Sequence, residues 1–443
     1  MDRYNSYKDS GEKWFGEIPS HWRSLALNRI CDFGKGLQIT KADLVEEGLP
    51  VVSYGQVHAK YNTRTHLSQD LIRYVPRSYA VGNDKSLVHP HEFIVADTSE
   101  DIDGCGNMVY NDSANDVYAG YHTVILNHIS FFEPKYLAYL FNSQTWRSQI
   151  RSLVNGVKVY SITKGLLKQT KVLIPKESEQ RTIASYLDSA TSKIDAAIAR
   201  EQKMIDLLNE RKQIIINQAV TKGIDQNAKM KDSGVEWIGE IPMRWQVVPL
   251  KRLLVEPMQY GANEPAENDN KSWPRYIRIT DIDENGNLKD ETFRSLQPEK
   301  ARDYLLAKGD ILFARSGATV GKTYLYNLDG QACFAGYLIR AKCNVNQLIP
   351  RYLYYYTQSG AYDNWKNSMF IKATIPNIGA DKYSVLPIVV PTMSEQNRIV
   401  NWLDEVISKI DKPIMSSRKL IALLQERKQI LINDVVTGKV RVS

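Results

Sequence analysis

SGATVGKT, Ser316 to Thr323, is the stretch of this chain that most invites a chemical reading, because its glycines bare backbone amides able to cradle an anion. Its spacing does not suit phosphate transfer. Three residues separate Gly317 from Gly321 where a phosphate loop needs four, and no acidic partner strand is recognisable. A turn between strands fits better, or a loop lying against a nucleic-acid backbone or base edges, to which Arg315, Ser316, Thr319 and Lys322 offer donors. His89, His91 and Glu92 carry metal-binding atoms, but HPHE has no separated third ligand and reads as a surface turn. No asparagine or aspartate precedes two prolines and an aromatic residue, the short motif of an amino-methyltransferase pocket. No nuclease pair of carboxylates with lysine and no nucleophile with its base stands out. The sequence therefore predicts no catalytic residue, no metal and no cofactor of its own.

What remains are side chains able to read bases: Arg and Lys for guanine, Asn and Gln for adenine, Ser, Thr and Tyr for edges and phosphates. Tyr54, Gln56, His58 and Lys60 follow a first strand-like run, and Arg278, Thr280 and Asp281 lie in its counterpart in the second half of the chain. Lys158 and Tyr160, after Asn155 and Gly156, and Lys372, near the equivalent turn, are candidate phosphate contacts. Each of these residues also reads as an ordinary polar residue facing solvent.

The elements that position them follow from the whole chain. It has 443 residues with 57 Lys plus Arg against 50 Asp plus Glu, 43% hydrophobic and 24% charged, so it is long enough for several cores and excludes a single small module. A net charge of +7 is mild and only weakly favours a polyanionic partner. Residues 1 to 14 form no apolar leader, and no run approaches the roughly 18 apolar residues of a membrane span. Cys31, Cys105, Cys333 and Cys343 lack metal spacing and are too sparse for a disulfide framework. A cytoplasmic protein with reduced thiols is expected.

The chain contains itself twice. KDSGEKWFGEIPSHW from Lys8 returns as KDSGVEWIGEIPMRW from Lys231 with 10 of 15 positions identical, and Pro175 to Thr221 returns as Pro391 to Thr437 with about 25 of 47. Ala119, Gly120 and Tyr121 return as Ala335, Gly336 and Tyr337; Pro134, Tyr136, Leu137 and Tyr139 return as Pro350, Tyr352, Leu353 and Tyr355. Residues 23 to 118 and 246 to 334 differ, and are free to do different work. Duplication suggests pseudo-twofold symmetry and two equivalent docking surfaces.

Apolar residues at Ile183, Leu187, Ala190, Ile194, Ile198, Ile205, Leu208 and Ile215 recur at Ile399, Leu403, Val406, Ile410, Ile414, Ile421, Leu424 and Leu431. Steps of three, four and seven line one face of a helix. About 44 residues make roughly 65 Å of helix, too long for one small domain to cover. The other copy is the natural partner, antiparallel, with the region of Ile194 near that of Ile410. Pro413, where the first copy has Ala197, predicts a break near Lys412. Glu210, Arg211, Lys212 and Gln213 recur as Glu426, Arg427, Lys428 and Gln429, either a solvated face or a docking surface for a second chain.

Residues 221 to 234 are polar and without apolar period, a linker. Pro50 to Val57, Tyr276 to Ile282, Phe93 to Ala96 and Ile311 to Ala314 read as strands, DENGN at 283 to 287 as a tight turn, and Pro134 to Leu140 and Pro350 to Tyr356 as helices. The predicted architecture is two mixed α/β domains joined by two long antiparallel helices: 1–177 a first domain, 178–222 a first helix, 223–393 the linker and a second domain, 394–443 a second helix and tail. On the residues alone, a nucleic-acid reader, a coiled-coil adaptor and an enzyme using the SGATVGKT loop all remain open.

The duplicated GEIPxxW segment (Gly16 to Trp22, Gly239 to Trp245), GDILFARSGATVGK at 309 to 322, and P-x-x-SEQ-x-x-I-x-x-x-LD opening a long helix that ends in ERKQ resemble the specificity subunit of type I restriction-modification systems, over nearly the whole chain. The resemblance implies two target recognition domains, each reading half of a split double-stranded DNA site. It implies a helix pair that spaces them and docks two modification subunits. Those partners would hold S-adenosylmethionine and methylate adenine, while restriction subunits would use ATP. Where the second half has GDILFARSG, the first has HEFIVADTS from His91, so Asp97, Thr98 and Ser99 stand against Arg315, Ser316 and Gly317. The halves are expected to read different sequences, giving an asymmetric site. Readers on one face of B-DNA lie about 34 to 36 Å apart, which a bar of roughly 65 Å accommodates.

Overall fold

A computed structural model describes residues 2–128, 133–156, 158–283, 286–370 and 377–442. The chain divides into two compact units, Met1–Glu201 with Lys419–Ser443, and Gln202–Arg418. Each unit joins one α/β globule to the start or end of both long helices.

In the first unit, β1 (Leu49–Val52), β2 (Phe93–Ala96), β3 (Val117–Ala119) and β4 (Thr123–His128) carry the framework. One antiparallel sheet runs Met108–Tyr110, β2, β4, Cys31–Lys35; a second contains β1 parallel to β3. The long helix α1 spans Glu177–Thr221. The second unit repeats the plan with β5 (Arg275–Ile277), β6 (Ile311–Ala314), β7 (Ala332–Phe334) and β8 (Leu338–Ala341). Here the sheet runs Thr323–Leu325, β6, β8, Gln259–Tyr260, and β5 lies parallel to β7. The same strand order is thus built from unlike sequences. The central strands β2 and β6, FIVA and ILFA, are wholly buried, as strands covered on both faces must be. The second long helix, α2, spans Met393–Val436.

The repeated motifs meet one another. Trp22 of the first GEIPxxW donates its indole N–H to Glu179 of the SEQ motif at 3.1 Å, and Trp245 donates to Glu395 at 3.2 Å. Both glutamates sit in the first helical turn, where a carboxylate also favours the exposed amides of the helix start. Gln180 and Gln396 each accept from the backbone leading into the short helix of their own globule, at Glu133 N (3.0 Å) and Ile349 N (2.9 Å). The far ends of the helices are held by the other copy's globule. Asn433 Oδ1 accepts from Thr145 N and Asn217 Oδ1 from Ala361 N, both at 3.1 Å, and Tyr352 OH donates to Val220 O at 3.0 Å.

Within each unit the helices run antiparallel. Ile183, Ala184 and Leu187 share a core with Ile432, Val435 and Val436, while Asp195 meets Lys428; Ile216, Ala219 and Val220 share a core with Ile399, Val400 and Leu403, while Lys212 meets Asp411. This register departs from the expectation that the region of Ile194 lies near that of Ile410: the residues next to them, Asp195 and Asp411, meet Lys428 and Lys212. The buried face also drifts by one residue, to Ile216, Ile407 and Ile432 rather than Ile215, Val406 and Leu431. A helix of 3.6 residues per turn drifts in this way against a strict heptad.

The expected break at Lys412 is absent, and α2 passes through Pro413. An interior proline costs about 3 kcal/mol. Ile407, Ile410 and Ile414 on either side are buried, each contributing about 1.5–3 kcal/mol, which outweighs it. The 50–57 and 276–282 runs are strands only at their starts; each continues into a short helical turn, Tyr54–Val57 and Ile279–Asp281. The reason is a local cap. Gln56 Oε1 accepts from Ser53 N at 3.1 Å, and Asp281 Oδ2 from Arg278 N at 2.8 Å. Around DENGN, Ile282 bridges to Leu288, and Gly286 takes a φ of 80°; Glu284 and Asn285 lie outside the described residues.

Candidate nucleic-acid interface

The loop after the central strand is anchored alike in the two halves, with its first acceptor shifted by one repeat position. Asp97 N donates to His122 O (3.1 Å) and Arg315 N to Tyr337 O (3.0 Å); Ile162 N donates to Asp97 O (2.7 Å) and Ile378 N to Arg315 O (2.8 Å). Thr98 pairs with Ser161 and Ser99 with Tyr160, as Ser316 bridges Asn377. HEFIVADTS and GDILFARSG therefore occupy one structural position with different chemistry.

The tripeptide Ala-Gly-Tyr joins this loop to the capped turn. Gly120 N donates to Val52 O (2.8 Å), Tyr54 N to Tyr121 O (3.2 Å), and Ala335 N to Ile277 O (3.0 Å). The approach is close enough to require glycine, since a Cβ on Gly120 would lie 1.9 Å from Ser53 Oγ. Tyr121, His122 and Tyr337 consequently stand beside the loop, with Tyr337 66% exposed. Sequence reasoning used this tripeptide only to set register. The signal it held was an aromatic residue repeated after a repeated glycine.

In the first half the structure gathers Tyr54, His58, Thr98, Ser99 and Tyr160. The rings of Tyr54 and His58 are 4.7 Å apart, and His58 Nε2 lies 2.9 Å from Thr98 O. Burial and the nearby Glu100 push the Tyr54 hydroxyl up, while burial pushes His58 below its ordinary value against the opposing pull of Thr98 O. Thr98 Oγ1 donates to Asp97 (2.7 Å), and buried Ser99 donates to Asp101 O (2.6 Å). Lys60 and Lys158 are exposed on neighbouring turns.

In the second half Arg278 grips buried Asp281 through two nitrogens, at 3.0 and 2.6 Å, and Thr280 next to them is exposed. Arg315 lies over the Tyr260 ring, 5.0 Å from its centre. SGATVGKT connects β6 to its antiparallel neighbour Thr323–Leu325, with positive φ at Gly317 and Gly321, so the turn reading describes its backbone. A cleft of about 1180 Å³ within the second unit brings Thr319 and Lys322 together with Lys212 and Gln213. Lys372 lies outside the described residues.

Of the ERKQ blocks, Glu210, Arg211 and Gln213 and their copies Glu426 and Arg427 are exposed, whereas Lys212, Lys428 and Gln429 are half-buried. Leu207 and Ile214 flank Arg211 on one helix face and are more than half exposed; Leu423 and Ile430 repeat this around Arg427. The HPHE residues form a turn in which His89 N donates to the Glu92 carboxylate (2.8 Å), while the His89 ring pairs with Asp116 (3.0 Å) and the His91 ring with the Tyr110 hydroxyl (2.9 Å). Among the described residues no cluster of metal-ligating side chains occurs, and no helix is long and apolar enough to cross a membrane. All four cysteines are free and buried.

The fold and these paired loops define a tandem α/β scaffold with two unlike heads on duplicated helices. The chain belongs to the family described as the type I restriction modification DNA specificity domain, which matches residues 19–205 and 245–415. It is 22% identical over 407 residues to the type I restriction enzyme StySPI specificity subunit of Salmonella potsdam, covering 89% of this chain and 84% of that one. It is 26% identical over 314 residues to the MjaVIII specificity subunit of Methanocaldococcus jannaschii, covering 69% and 70%. A chain solved in work on complex assembly and conformational transition of the type I R-M system shares the fold, with a TM-score of 0.64 at 16% identity, covering 96% of this chain and 99% of that one.

Proposed function

We propose that this protein is the noncatalytic DNA-specificity subunit of a type I restriction-modification complex, each half reading one part of an asymmetric bipartite site. The observation that carries this reading is the pair of loops Asp97–Ser99 and Arg315–Gly317, held in one register yet offering a carboxylate and two hydroxyls in one half and a guanidinium, a hydroxyl and bare backbone in the other. Equal placement with unequal donors and acceptors is what two readers of different sequence require. Tyr54, Thr98, Tyr160, Thr280, Arg315, Ser316 and Thr319 meet base edges or sugars, and Lys60, Lys158, Lys322 and Lys372 meet phosphates. His58, Gln56, Ser99, Arg278 and Asp281 shape the turns that present them.

The helix pair spaces the readers, and its two stripes around Arg211 and Arg427 each dock one modification subunit. S-adenosylmethionine belongs to those partners and ATP to restriction subunits; this chain works with them in the cytoplasm. Titrating a duplex with the protein at several salt concentrations tests the proposal. Log affinity falls steeply and linearly with log salt for a reader that neutralises phosphates. A protein-binding adaptor gives no such slope.

A further inference from the structure

We propose that a hydrogen-bonded chain, from buried Arg147 through buried Asn107 to half-buried His58, positions the first reading loop and thereby decides how strictly the first half-site is read. This rests on the DNA-reading function proposed above. Arg147, on the helix Gln144–Leu153, is 4% exposed and donates from Nη2 to Asn107 Oδ1 at 2.7 Å and to Asp103 O. Asn107 Nδ2 lies 3.1 Å from His58 Nδ1, and His58 Nε2 lies 2.9 Å from Thr98 O. Arginine can only donate, which fixes the Asn107 oxygen toward it and turns the amide NH2 on His58. A carbonyl can only accept. The direction is therefore set from both ends, and only a neutral His58 carrying its proton on Nε2 completes it. A second proton, on Nδ1, would point at the Asn107 NH2 and break the chain next to Thr98.

The surroundings favour the neutral form of His58. Burial lowers its proton affinity, and the guanidiniums of Arg64 and Arg147 add to this, against Asp101 and the Thr98 carbonyl. The Tyr54 ring packs against it from its own turn, and the backbone at Gly104 lies so near that a Cβ there would be 3.1 Å from His58. Arg64, Arg147 and Arg151 crowd the base of the loop. Burial, then the other two cations, hold Arg147 down at about 9. The second half anchors its loop otherwise: Tyr383 OH donates to Ala314 O (2.7 Å) and Tyr362 OH to Gly321 O (2.8 Å), and Asp363 occupies the repeat position of Arg147. Protonation of His58 therefore affects one half only.

The test uses the full chain assembled with its modification subunits and duplexes carrying its site, with single base changes in either half, at about pH 8 and about pH 5.5. Discrimination in the first half is expected to weaken about tenfold at the acidic pH, and in the second half not at all. His58→Gln, whose amide can both accept and donate, is expected to discriminate at both pH values alike, although His122 remains beside the loop. Asn107→Leu is expected to lose first-half discrimination throughout. If that variant does not fold, the wild-type and His58→Gln profiles still decide. First-half discrimination that is independent of pH in the wild type, falls equally in both halves, or keeps its pH dependence in His58→Gln overturns the proposal. Absence of sequence-specific binding at either pH and in either half instead overturns the DNA-reading function itself.

Discussion

Lys428 reaches across from α2 to Asp195 of α1 at 2.7 Å, and the same contact is made in the other unit by Lys212 and Asp411 at 2.7 Å. Asp195 and Asp411 are repeat equivalents, as are the two lysines, so one ion pair has been written twice into the chain. Partly exposed pairs of this kind contribute about 0.2–1 kcal/mol each. Double-mutant cycles with alanine, read from denaturant midpoints, are expected to return coupling energies for the two pairs equal to within about 0.3 kcal/mol. A coupling confined to one pair would contradict their equivalence.

Gly120→Ala is expected to destabilise the protein by about 1–3 kcal/mol, because the new methyl group must displace Ser53 Oγ, 1.9 Å from its ideal position. Adding Ser53→Gly should recover part of that loss in the same unfolding measurement. Gly120→Ala should also impair reading of the first half-site more than the second, since Gly120 joins the first loop to its capped turn.

Glu395 titrates below its ordinary value of 4.5: burial raises it, but Thr392 and the Trp245 indole donate to its carboxylate and Arg244 stands nearby, and together they win. The folded form then holds fewer protons than the unfolded chain at mildly acidic pH. Its stabilising contribution is complete above about pH 4.5 and is lost as the pH falls through and below that value. Acid unfolding of Trp245→Phe should begin at higher pH than in the wild type, and stability of Glu395→Gln should vary less below about pH 5. Unchanged acid profiles in both variants would show that the contact at the helix start does not carry this effect.

The stripes Leu207, Arg211, Ile214 and Leu423, Arg427, Ile430 are expected to bind one modification subunit each. Leu207→Asp with Ile214→Asp should leave complexes with a single such subunit in native mass spectrometry, and the corresponding change at Leu423 and Ile430 should do the same. Retention of two subunits by both variants would place the docking surface elsewhere.

Much of this was legible in the residues. The repeat and the two long helices needed only identities and periodicity, while HEFIVADTS, with one identity to GDILFARSG, is matched by its place in the preserved order. The pairing of Asp195 with Lys428 was not legible. Antiparallel register depends on where the two helices slide to rest, and apolar steps of three and four recur at every turn. Pro413 misled because a local cost of about 3 kcal/mol is visible in sequence while the burial of Ile410 and Ile414 that outweighs it is not. The chain through Arg147 was hidden for a different reason: its members lie 40 and 49 residues apart in sequence and no repeat marks them. Helical turns after β1 and β5 escaped because β-branched residues favour strand until a cap intervenes.

Two unlike readers in one chain leave a mark on DNA that can be mapped. Mapping the methylated bases in DNA from cells that carry this protein with its modification partner tests this most directly. A single asymmetric sequence is expected, with two fixed parts separated by a constant number of unread base pairs; a palindrome, or one uninterrupted word, would rule out two unlike readers.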